Sequence, residues 1–280
     1  MAKEPVSPDK KRVSAEMKPA APAGHPLAPL KRYTDARIGL GRFGAGLPTS
    51  AHLDFAEAHA RARDAVHAEF DEDALEKALA DTGLPVVRVK SQAEDRATYL
   101  RRPDLGRKLS DDSVKFLGEM KEDDSYDIVI IISEGLSAHA VNTYAAETAE
   151  ALIGDLPKDT DIAPIVLARQ GRVALSDPIG QALSAKLAVI LIGERPGLSA
   201  ADSLGAYLTY DPKPGRNDAD RNCISNIRKG GISPKEAAKK IAWLTSRAFE
   251  LGLSGTKLKD DAEDQLEGSS APSLEGPSNS

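Results

Sequence analysis

The residues of this chain that could do chemistry lie in five short stretches. The run LAVILIG (187–193) is followed at once by Glu194, Arg195, Pro196 and Gly197. Apolar runs this short, bounded by Gly and Pro, are expected as buried strands. In open α/β sheets, ligands lie beyond the carboxyl ends of such strands. A carboxylate placed there could hold a polar ligand, but its burial would require hydrogen-bond donors or the adjacent Arg195. The stretch GLSAH (135–139) follows a strand-like run and opens a helix, where a nucleophile elbow would sit. That elbow needs G-x-S-x-G, and His139 occupies the place of its last glycine. Ser137 therefore reads first as a helix start, with an α/β serine hydrolase as the alternative. Glu134, just ahead, could face a polar ligand.

The other three stretches are weaker. Cys223, the single cysteine, has Arg221 and Arg228 nearby. A reactive thiol also needs a placed base, so Cys223 is expected to be a small buried packing contact and not a nucleophile. His52, His59 and His67 share one predicted helix at spacings of seven and eight. A helical metal pair favours i, i+4, so no zinc site is expected. GLGRFG (39–44) matches G-x-G-x-x-G by letter. The preceding LKRYTDARI is too charged for the strand that a dinucleotide fingerprint requires, which leaves a glycine-rich turn.

Alternating elements must position these residues. The spacing predicts helices over 49–70, 71–83, 136–156 and 233–252, with a short one over 174–185. Strands are expected at 85–90, 126–133, 162–168, 187–193 and 206–210. Strands alternating with helices imply an α/β fold, a Rossmann-like and largely parallel sheet with flanking helices, preceded by a helical N-terminal region. The expected organisation is a disordered basic arm (1–32), a mainly helical entry region (33–120), an α/β domain (121–256) and a disordered acidic tail (257–280).

Charge supports that division. The net charge of −6 separates into +4 for residues 1–32, −4 for 257–280 and −6 between them. A nucleic-acid binder would carry a basic footprint on its folded part, and this chain does not. Both ends are rich in Pro, Ala, Ser and charge, too polar to offset chain entropy by burial. No apolar run is long enough for a membrane span, and the N-terminus lacks the apolar centre of a secretory signal. One cysteine fits a reducing cytosol.

Six blocks go further. DARIGLGRFGAGLPTSAHLDFAEAHARARDAVH, YLRRPDLGRKLS, SEGLSAHAVN, LARQGRVALSDPIG, LIGERPGLSAADSLGAYLTYDP and DADRNCISNIRKGGISPKEAA resemble, in order, the small (light) subunit of ethanolamine ammonia-lyase, over residues 33–255. GERPGL and DR-x-CISNI-x-x-GG are the most specific. The resemblance implies an ammonia-lyase that converts ethanolamine to acetaldehyde and ammonia with adenosylcobalamin. The partner would be a large subunit with a (β/α)8 barrel, in a hetero-oligomer of six large and six small chains. That subunit would carry the substrate site and the radical chemistry, so this chain alone would have no activity and no catalytic residue. The family's cofactor contacts carry over onto Val173, Glu194 and Cys223. A cytoplasmic location follows, with enclosure in a bacterial microcompartment left open. The class-level alternative is a non-catalytic corrinoid-binding protein. None of the five histidines has an Asp two residues before it, as the D-x-H-x-x-G motif of base-off cobalamin proteins requires. The cofactor is accordingly expected base-on, with its own dimethylbenzimidazole on cobalt.

Overall fold

A computed structural model describes residues 26–42, 44–120 and 125–258, which fall into two compact units dividing between His59 and Ala60. The first unit holds a short 3-10 turn (Ala28–Arg32), a glycine turn and the start of helix α1 (Thr49–His67). Gly39, Gly41 and Gly44 have φ of 60, 77 and 60°, a left-handed backbone that glycine adopts without strain. Among the described residues no strand leads into these glycines, as a dinucleotide fingerprint would need.

The second unit continues with α2 (Glu72–Ala78), β1 (Val86–Lys90), α3 (Arg96–Arg101), α4 (Asp111–Glu119), β2 (Ile128–Ser133) and α5 (Ala138–Asp155). It then runs through β3 (Ile165–Arg169), α6 (Ser176–Ala182), β4 (Leu187–Gly193), β5 (Leu204–Tyr210), β6 (Arg221–Ile227) and α7 (Pro234–Leu251). Helix starts follow local chemistry. Asp71, Asp95, Ser110, Ser137 and Ser233 each accept a backbone N–H of the first turn. Ser233 and Glu236 complete a capping box, with Pro234 in the first turn of α7, where its missing N–H has no helical partner to lose.

The six strands form one sheet in the order β1-β3-β2-β4-β5-β6. β1, β3, β2 and β4 are parallel, whereas β5 and β6 add to β4 as an antiparallel extension. The α/β expectation holds, with a sheet more mixed than the patterning suggested. β1 lies within the region expected as a helical entry, so the sheet begins well before residue 121. Of the two expected arms, residues 1–25 and 259–280 lie outside the described residues. No described helix is long and apolar enough to cross a membrane.

Alternation explains why the central strands read as unbroken apolar runs. Ile128, Ile130 and Ile132 enter a core shared with Val141, Ala145 and Leu152 of α5 and Ala238, Ile241 and Leu244 of α7. Val129 and Ile131 face the opposite side and pack with Leu117 of α4, Leu175, and Ile179 of α6. Every apolar residue of β2 is buried because helices cover both faces, and each such side chain contributes about 1.5–3 kcal/mol by leaving water.

The carboxyl ends of β2 and β4 meet through two glycines. A Cβ on Gly135, which has φ of 52°, would lie 2.4 Å from the Gly193 carbonyl oxygen, and one on Gly193 would lie 2.2 Å from the Ser137 carbonyl oxygen. The Leu136 N–H donates to that same Gly193 oxygen at 2.9 Å. Both neighbours are backbone and cannot step aside. Gly135→Ala is expected to destabilise the chain by about 3 kcal/mol through overpacking and left-handed strain. Urea unfolding followed by circular dichroism measures it, and an unchanged midpoint would refute the close-contact account.

Candidate functional site

Glu194 emerges from the carboxyl end of β4 and turns back over β5. Its carboxylate accepts the Ser203 hydroxyl at 2.5 Å, the Ser225 hydroxyl at 2.5 Å and the Asn226 N–H at 3.4 Å, while its own N–H donates to the Ser203 carbonyl at 2.9 Å. The expected alternative, Arg195, is exposed and makes no ion pair among the described residues. Serine hydroxyls and a backbone N–H do the work assigned to it.

A β-bulge builds this arrangement. β5 and β6 pair Leu204 with Ile227 and Ala206 with Ile224, so Gly205 alone opposes Ser225 and Asn226. Asn226 takes φ of 64°, the left-handed region that Asn tolerates better than most residues. The extra residue aims two donors at one carboxylate. Gly205 leaves the space for it, since a Cβ there would lie 2.9 Å from Glu194 Oε1 and 3.1 Å from Glu194 Cγ.

Cys223 stands two residues earlier on β6, opposite Tyr207. Leu204, Ala206 and Leu208 point into the core beneath α5 and α7, so Gly205, Tyr207 and Thr209 point the other way. Tyr207 and Val173 both pack against the edge of the second core. The three residues carried over by resemblance thus come to one face of the sheet. Cys223 is exposed, not buried as its residue type suggested. Crowding by neighbouring protein nevertheless pushes its thiol pKa up, the Tyr207 hydroxyl lowers it by hydrogen bonding, and the Glu194 charge raises it. A thiol so placed stays protonated at neutral pH.

Val173 begins a 3-10 turn (Val173–Leu175) that leads into α6. The loop before it is tightly held. Gln170, at φ of 56°, donates its N–H to Glu134 Oε1 at 2.8 Å, and Gly171 donates to Ser133 Oγ at 3.1 Å. The Tyr99 hydroxyl donates to the Gly171 carbonyl at 3.0 Å, and the Arg172 N–H donates to the Gly106 carbonyl at 2.8 Å. Glu134 is therefore committed to holding a loop. Burial pushes its pKa up, opposed by the Gln170 N–H and the Arg96 charge.

Ser137 is fully buried; its hydroxyl donates to the Ala201 carbonyl at 2.9 Å and accepts the Ala140 N–H at 3.2 Å. It caps α5 and pins the loop after Glu194, which removes the hydrolase alternative. His139 is exposed on α5. Among the described residues no group of three or more His, Cys, Asp or Glu could hold a metal ion. Cavities of about 320 and 310 Å³ lie along β1 and β3, around Arg88 and Arg169, and include none of the three candidates. Cys223 and Ser225 are exposed on this face, whereas Val173 and Glu194 are half-buried.

Ser203, Gly205, Tyr207, Ser225 and Asn226 escaped the sequence reading. Only Gly205 carried a signal, since glycine inside a strand marks a bulge or a close approach.

Comparisons with known proteins identify the family. The family described as ethanolamine ammonia-lyase light chain matches residues 24–259. A protein of Bradyrhizobium diazoefficiens named ethanolamine ammonia-lyase small subunit is 49% identical over 249 residues, covering 88% of this chain and 95% of the relative. Its namesake in Pseudomonas fluorescens strain Pf0-1 is 49% identical over 251 residues, covering 89% and 92%. That of Rhodopseudomonas palustris is 50% identical over 242 residues, covering 86% and 92%.

The Cys223 environment sets a pH dependence. Alkylation by iodoacetamide should titrate above the ordinary thiol value of about 8.5. Tyr207→Phe, which removes the stabilising hydrogen bond, should move the midpoint higher, and Glu194→Gln should move it lower. A midpoint unaffected by Tyr207→Phe would refute the assigned contact.

Proposed function

The chain belongs to the ethanolamine ammonia-lyase light-chain family, and on that premise we propose that it holds adenosylcobalamin at the interface with a large subunit. The reaction of the assembly is conversion of ethanolamine to acetaldehyde and ammonia. The observation that carries the reading is the shared face of Val173, Glu194 and Cys223, which no described element covers at Cys223 or Ser225. A face left open on one chain is what a ligand sandwiched between two chains requires.

The residues fit a corrinoid in type and arrangement. A corrin ring carries amide side chains on an apolar macrocycle. Glu194 offers a carboxylate whose three internal donors fix its direction, and a carboxylate has about four acceptor sites. One site remains for a ligand amide or hydroxyl. Tyr207 and Val173 offer apolar edges beside it, and the Cys223 thiol offers a polarizable contact that stays uncharged. Four parallel strands supply the carboxyl-end position where Rossmann-like sheets place ligands, and the antiparallel pair widens it into a floor. We take the cofactor as base-on, with no histidine of this chain on cobalt.

Homolysis of a cobalt–carbon bond and the hydrogen abstraction that follows are what the cofactor supplies when bound. This chain's residues bind, orient and shield. Glu194 and Cys223 are held by the Ser203, Ser225 and Tyr207 hydroxyls, contacts that fix their direction, and on this reading they act through binding.

The test is a cobalamin titration, followed by visible absorption, of the assembled complex and of this chain alone. The chain alone should bind weakly and release no acetaldehyde, whereas the complex should bind tightly and release acetaldehyde. Glu194→Ala should cost about 1.5–3 kcal/mol, or roughly ten- to a hundredfold in affinity, while turnover at saturating cofactor changes little. Unchanged affinity with collapsed turnover would overturn the binding role.

A further inference from the structure

Two of the proposed cofactor contacts, Val173 and Cys223, lie on separate elements, and no backbone hydrogen bond among the described residues joins those elements directly. Val173 belongs to the 3-10 turn that runs into α6, and Cys223 belongs to the edge strand β6. One buried ion pair spans the gap. Arg221 Nη1 donates to Asp177 Oδ1 at 2.8 Å and Nη2 to Asp177 Oδ2 at 2.7 Å, with side chains 2% and 3% exposed. Arg221 also donates to Thr209 Oγ1 at 2.8 Å and to the Arg216 carbonyl at 3.3 Å. Its Nε has no partner.

The places of the two residues matter more than the strength of the bond. Arg221 precedes Cys223 by two residues on a strand and so shares its face. Asp177 follows Val173 by four residues along continuous helical turns, so it stacks one turn away. Each end of the pair is thus the structural neighbour of one cofactor contact. Bidentate Arg–carboxylate geometry is planar and fixes orientation as well as distance. Gly180, one turn further along α6, closes against Pro212, whose Cγ would lie 2.4 Å from a Cβ there. Helix α6 is held on the β5–β6 extension at two points.

We infer that Arg221 and Asp177 are positioning residues that set the separation between the Val173 and Cys223 halves of the corrinoid-binding face. A buried ion pair contributes little net stability compared with apolar residues of similar size, whereas a ligand spanning two elements responds to small displacements between them. The inference rests on the proposed reading of that face.

That contrast provides the test. The double variant Asp177→Leu with Arg221→Met removes both charges together and leaves none stranded. It should assemble with the large subunit and unfold near the wild-type temperature, yet bind hydroxocobalamin about tenfold more weakly or worse. Arg221→Lys, which keeps the cation but cannot bridge both carboxylate oxygens, serves where the double variant fails to assemble, and should also weaken binding. Wild-type affinity in the assembled double variant, or in Arg221→Lys, overturns the inference. Glu194→Ala in the same titration separates the two levels. If it weakens binding and the pair variants do not, positioning alone fails; if none weakens binding, the reading of the face fails with it.

Discussion

Strand β4 is the constraint on which the rest depends. All seven of its residues are buried, and it pairs parallel with β2 on one edge and antiparallel with β5 on the other. A parallel neighbour demands a long crossover, which α5 and α6 supply on opposite faces. An antiparallel neighbour needs only a short return. The carboxyl end of β4 is therefore the one point where the parallel sheet's ligand-binding end and a returning loop coincide. Glu194 stands there, and Ser203, near the start of β5, is close enough to hold its side chain. Had β5 been parallel, its start would lie at the far end of the sheet.

From that point the packing follows. Gly135 and Gly193 allow the turns after β2 and β4 to touch, which draws the buried hydroxyl of Ser137 to the Ala201 carbonyl. Tyr144, on the same helix, donates its hydroxyl to Asp202 at 2.8 Å and accepts the Lys229 N–H at 3.2 Å. The loop from Glu194 to Ser203 is thus fixed from below by α5 at two places. Its tip, with Arg195, Gly197, Leu198 and Ser199, stays exposed. A loop anchored at its base and open at its tip can meet a partner surface without folding onto it.

The sequence made the parallel half legible and left the extension dark, for a physical reason. β2 and β4 are buried on both faces, so their apolar runs announce them. β6 reads RNCISNI, with polar side chains on its open face and a bulge that breaks the period of two. Its apolar signal reduces to Ile224 and Ile227, three apart, which resembles a helix more than a strand. Six ordered blocks could carry over Val173, Glu194 and Cys223, yet nothing local showed that Glu194 would lean on serines and not on Arg195. That choice depends on pairing between residues 194 and 225, distant in sequence. Cys223 was misjudged because cysteine is most often buried, whereas here the open face keeps it accessible.

An open face imposes its own requirement. A pocket that encloses its ligand can adjust around it, but on the proposed reading this face is half a site, whose other wall would belong to a different molecule. Binding affinity then depends on how little each half must reorganise. The structure answers with polar contacts satisfied inside the chain before any ligand arrives. Three donors hold Glu194; Glu134, Ser133 and Gly106 accept N–H bonds from the loop before Val173 while Tyr99 donates to it, and Arg221 with Asp177 holds one side to the other. The strained backbone at Gln170 and Asn226 lies within these networks, which over-determine it as sites of function commonly do. The same economy explains why the chain's own chemistry is so plain. On the proposed reading, carboxylate, thiol and valine would not need to react, only to stand where a ligand shared between two chains would rest.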